Sequence, residues 1–140
     1  MKKIIPVLCI LILAMIFTAC GNDEIKIEEY SWRMDTVLSL EDNGTVIAVG
    51  EKNAESDNVV KLTLTANNGE LILEDSTNDE TYKGAYEEMV VTDEPNDYKI
   101  YIDGKEGYAI VSEAFYENKS SEKTLVISVD GYDLYFKEVA

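Results

Sequence analysis

The sequence predicts an all-β fold: an antiparallel up-and-down meander of eight or nine strands closed into a barrel, with an open β-sandwich as the alternative. Three observations carry this. Four dipeptides that tolerate the positive φ of a tight hairpin recur along the chain, at Asn43-Gly44, Asn68-Gly69, Asp103-Gly104 and Asp130-Gly131. The segments flanking them alternate between apolar and polar residues. No stretch after residue 20 keeps a helical period, and Pro95, the one proline beyond the leader, falls in the polar connection "TDEPND", where it interrupts no strand.

The first strand is read in "YSWRMDTVLSL", where period two sets Tyr30, Trp32, Met34, Leu38 and Leu40 on one side and Ser31, Arg33, Asp35 and Ser39 opposite. Each turn then predicts a register. A loop of Asn43 and Gly44 sets Leu40 against Ile47 and Leu38 against Val49. The second turn sets Ala66 against Leu71 and Leu64 against Leu73. The last sets Ile127 against Leu134 and Leu125 against Phe136. At Asp103-Gly104 a two-residue loop would oppose Lys99 to Tyr108, whereas a three-residue loop with a glycine bulge opposes Ile100 to Tyr108 and Tyr98 to Ile110. Matching apolar to apolar favours the longer loop. Further strands are expected in "TYKGAYEEMVV" and "GYAIVSEAFY". Closing such a meander removes exposed edges.

An early tryptophan, Trp32, followed by an up-and-down series of hairpins resembles small lipocalin-like (calycin-like) barrels. Those proteins usually carry glycine two residues before that tryptophan, where this chain has Tyr30. The resemblance implies a barrel pocket for a small ligand, near Tyr30 and Trp32.

The N-terminus carries an address. A basic start at Lys2 and Lys3, an apolar core from Ile4 to Phe17 and the small pair Thr18 and Ala19 make up a secretory signal. As a helix the core's 14 residues would reach roughly 21 Å, short of the ~30 Å of a bilayer's hydrocarbon. The tetrad Phe17-Thr18-Ala19-Cys20 resembles the lipobox of bacterial lipoproteins, with Phe17 in place of the usual leucine. The resemblance implies cleavage by signal peptidase II before Cys20. It also implies a diacylglycerol, with acyl chains such as palmitate, on the Cys20 sulfur and residence on the extracytoplasmic face of the cell membrane. Two buried chains hold a protein on a bilayer far more firmly than one. The organisation expected is a signal peptide at 1–19, a lipidated Cys20 and tether through 29, and one β domain at 30–140.

Cys9 leaves with the signal and Cys20 is spent on lipid, so no disulfide is available and stability must come from packing. Cleavage also removes two lysines, leaving 10 basic against 28 acidic residues, a net charge of −18. Such a surface argues against nucleic acid and against attraction to anionic lipid headgroups.

Chemistry is sparse. With no histidine and no free thiol, triads, imidazole bases, thiolate nucleophiles and most zinc sites are excluded. Glu87 with Glu88, or Asp93, Glu94 and Asp97, could supply a carboxylate pair, but neighbours on a strand face opposite ways. A carboxylate-based hydrolase is therefore the second alternative only. "DSTNDE", residues 75 to 80, has Glu80 where an EF-hand loop needs glycine and reads as a solvated turn. The sequons at Asn43 and Asn118 read as turn chemistry. Nine tyrosines suit both strand pairing and a binding surface.

The reading is a membrane-tethered, non-catalytic binding or interaction module without cofactor or metal. Its partners are the bilayer, through Cys20, and a small molecule, glycan, peptide or protein. A small-ligand carrier using a barrel pocket at Tyr30 and Trp32 is the leading alternative. Trp32, Met34, Leu38, Leu64 and Phe136 are expected to fill much of the interior.

Overall fold

The computed structural model describes residues 25–50, 59–89, 97–118 and 120–139. Nine strands follow one 3-10 turn, Ile27–Glu29: β1 Trp32–Ser39, β2 Thr45–Val49, β3 Leu62–Asn67, β4 Glu70–Asp75, β5 Glu80–Glu88, β6 Asp97–Ile102, β7 Lys105–Phe115, β8 Ser121–Val129 and β9 Tyr132–Glu138. Every pairing between strands is antiparallel, and β1 and β9 join to close a barrel of eight strands, with β2 as an extra ninth. The open sandwich is thereby set aside.

β1 is the keystone, because it pairs along its length with β9 and divides its other edge between two partners. Trp32 and Arg33 pair with Leu64 and Thr63 of β3, whereas Thr36 to Ser39 pair with β2. β2 leaves β1 at Gly50, where a Cβ would stand 2.0 Å from the Met34 carbonyl oxygen, so only glycine fits.

The barrel has two unlike ends. The strand directions gather the β3–β4, β5–β6 and β7–β8 connections at the end where β1 begins, together with the N-terminal segment. Here Ile27, Trp32, Leu71, Ile100, Leu125 and Phe136 are buried and packed into one core. The other end carries the loops at 40–44, 76–79, 103–104 and 130–131.

Two hairpins have the expected register: Leu64 opposes Leu73 and Ala66 opposes Leu71, while Ile127 opposes Leu134 and Leu125 opposes Phe136. The first does not. A bulge between Met34 and Thr36 flips the alternation, so Val37 and Ser39 face inward, Leu38 opposes Val46 rather than Val49, and Leu40 sits 50% exposed in a five-residue loop. Leu38 therefore does not belong to the interior set.

The third hairpin also corrects the expectation, for its loop is two residues and Lys99 opposes Tyr108. The interior there is made of small groups: Ile100 faces Gly107, where a Cβ would come within 2.3 Å of the Ser128 carbonyl oxygen. Tyr108 and Ile110 point outward, and the Lys99 amine bridges to Glu106 at 3.0 Å and lies over the Tyr101 ring.

The expected tether is partly fold. Ile27 is fully buried, its N–H donates to the Tyr98 hydroxyl at 3.2 Å, and its carbonyl accepts the Trp32 indole N–H at 2.8 Å. An isoleucine in a polar run has found the barrel's end. All the described strands and the core they enclose lie within residues 25–139, so residues 21–140 carry every described element of the barrel. Cys20, Pro95 and the signal-like segment lie outside the described residues.

Candidate functional site

The open end holds a cavity of about 500 Å³. Val37, Leu62, Leu73, Ile102, Val129 and Leu134, with Ile47 and Val60 beside them, form its apolar wall. It arises where β2 and β3 part from one another along β1, with Ile47 on one side and Leu62 on the other. Eight-stranded barrels are just wide enough either to be filled by their side chains or to hold one small ligand. This barrel is filled at one end and leaves a cavity at the other.

The inward side chains explain the division. Near the start of β1 they are Trp32, Phe136, Tyr98 and Tyr86, the last two ring to ring at 5.8 Å and 72°. Toward its end they shrink to Val37, Ser39, Gly107 and Val129. Bulk runs out before the barrel does.

Polar groups ring the mouth. Asp75, Tyr82, Asp103, Lys105, Asp130 and Tyr132 complete the lining. Asp75 is only 7% exposed and ends β4 in a turn that it organises. Its Oδ1 accepts the backbone N–H groups of Thr77 and Asn78 at 2.9 and 3.3 Å, and its Oδ2 accepts the Asn78 side-chain amide at 2.8 Å. The Asn78 side-chain bond, joined by the two backbone bonds, holds this carboxyl below the ordinary aspartate range although burial pushes the other way. "DSTNDE" is thus a self-capped turn. No group of three or more metal-ligating residues occurs among the described residues.

Tyr82 donates to Glu80, and that bond, with burial and the charges of Glu80, Asp75 and Asp103, raises the phenol above its usual value. Lys105 is paired with Asp130 of the neighbouring turn on the rim, a contact that raises its amine.

The residues expected to bind ligand lie elsewhere. Trp32 is fully buried at the packed end, and Tyr30 stands edge-on to its ring at 5.6 Å; neither lines the cavity. Glu87 and Glu88 are exposed neighbours on β5 facing opposite sides, Asp97 begins β6, and Asp93 and Glu94 lie outside the described residues. Asn118 accepts the Ser120 backbone N–H at 3.1 Å, as a turn residue does. The residues that line the cavity read in the sequence as ordinary strand and turn positions, with nothing to mark them as a site. Comparison with family models, with curated proteins and with solved structures finds no match to this chain.

Proposed function

We propose that this chain is a lipid-anchored, non-catalytic binding module of the bacterial cell envelope whose site is the open end of the barrel. The apolar cavity of about 500 Å³ carries the reading, because that volume falls within the range of small-molecule sites and a few polar groups at its rim can orient a guest. The lipobox-like tetrad ending at Cys20 supports the anchor. An outward stripe of Tyr101, Tyr108 and Ile110, the last two 51% and 47% exposed, favours a second reading as a protein-contact surface.

The test of the site is a titration of residues 21–140 with a neutral apolar fluorophore such as N-phenyl-1-naphthylamine. Saturable one-to-one binding, abolished by filling the cavity with Leu134→Trp, is expected; no saturation would remove the ligand reading. The anchor is tested by intact mass and membrane fractionation. Cys20→Ser should release the protein from the membrane, and Cys9→Ser should leave the mature form unchanged.

A further inference from the structure

We propose that the guest is a cationic amphiphile, with an apolar tail inside the open end of the barrel and a positively charged head among the carboxylates of its mouth. This rests on the cavity being the binding site and adds the chemical class of what enters it.

Charge is distributed unevenly over the molecule. On the barrel wall, four lysines each engage carboxylates: Lys99 with Glu106, Lys123 with Glu113 at 2.7 Å, Lys137 with Asp35 and Glu122, and Lys83 with Glu70. The mouth has fewer cations for its acids. Three aspartates line the cavity, Asp75, Asp103 and Asp130, against one cation, Lys105, which Asp130 already engages. Glu80 adds a fourth carboxylate beside Tyr82, and Glu41 brings a fifth against Gly131 in the adjoining turn.

Backbone geometry does not demand these acids. The left-handed turn positions accept asparagine as readily as aspartate. At the packed end that position is Asn68, whereas at the open end it is Asp79, Asp103 and Asp130, with Asn43 the exception. Asp75 contributes differently, because its turn bonds hold it ionised in an otherwise apolar wall. A cation at the mouth therefore meets fixed negative charge at the edge of a low-dielectric bowl, where attraction is stronger than in open water. An anion of the same tail meets repulsion.

The experiment is isothermal titration calorimetry of residues 21–140 with three ten-carbon amphiphiles below their micellar concentrations: decyltrimethylammonium, decyl glucoside and decyl sulfate. The ammonium should bind about tenfold tighter than the glucoside, with the sulfate weakest, and the margin should shrink as salt is added. Asp103→Asn with Asp130→Asn keeps both turns and should cut the margin to about threefold or less. Lys105→Met frees Asp130 and should tighten ammonium binding. If the glucoside binds as tightly as the ammonium, the charge proposal fails while the cavity reading stands. If ammonium binding survives Leu134→Trp, the ligand sits on the acidic surface and the proposal fails. If none of the three binds saturably, both readings fail.

Discussion

The two ends of one barrel are built from the same antiparallel ladder and do opposite things with it. At the packed end a 3-10 turn supplies Ile27 as a lid, Trp32 and Phe136 fill the bore, and the Tyr86 hydroxyl donates to Glu28 at 2.6 Å to hold the lid in place. At the open end β2 takes over β3's place beside β1, inward residues are small, and a cavity remains. The ladder sets the diameter, and side-chain volume decides what occupies it. Side-chain packing is concentrated at one end of the molecule, and open space is left at the other.

The sharpest break in that contrast is Trp32→Ala. It removes the largest buried side chain and leaves the Ile27 carbonyl without its indole donor, so urea unfolding should show a loss of about 3–5 kcal/mol. Leu134→Ala at the half-buried open end removes fewer contacts and should cost about 1–2 kcal/mol. Equal losses at the two sites would erase the distinction.

Next in size is Gly107→Ala, which drives a Cβ into the Ser128 carbonyl and should destabilise the barrel by about 1–3 kcal/mol. Gly104→Ala, in open space at positive φ, should cost about 1 kcal/mol through backbone strain alone.

A smaller effect is expected from pH. Asp75 and Glu113 are held below their ordinary values in the folded state, Asp75 chiefly by its Asn78 bond and Glu113 by Lys123. The unfolded chain therefore takes up protons first. The stability these groups contribute is complete above the unfolded value of about 4 and is lost as pH falls through the folded one. Thermal melts from pH 6 down to 2.5 should fall most steeply below about 4. Asp75→Ala should flatten part of that slope while costing about 1–2 kcal/mol at neutral pH through its unpaired turn donors.

How much of this was legible in the sequence follows the regularity of the strands. Around Asn68-Gly69 and Asp130-Gly131 the alternation is unbroken, and polarity alone fixes the register. β1 misleads because the bulge at Met34 and Thr36 shifts the phase without any residue that advertises it. The third hairpin misleads for another reason: Gly107 inside and Tyr108 outside invert the polarity rule, since a close approach to β8 admits no side chain. The lid was hidden in its composition, a single buried isoleucine among acids. The cavity was out of reach because it depends on β2 and β3 dividing the edge of β1, a non-local choice between strands that no local pattern encodes.

The most direct test of the two-ended barrel combines both ends in one titration, following the nuclear magnetic resonance signals of residues 21–140 as N-phenyl-1-naphthylamine is added. The methyl signals of Val37, Val129 and Leu134 should shift saturably while the Trp32 indole N–H, bonded to Ile27, stays where it is and the tryptophan emission remains blue-shifted throughout. A shift of the Trp32 indole in step with the probe, with those methyls unmoved, would contradict the account.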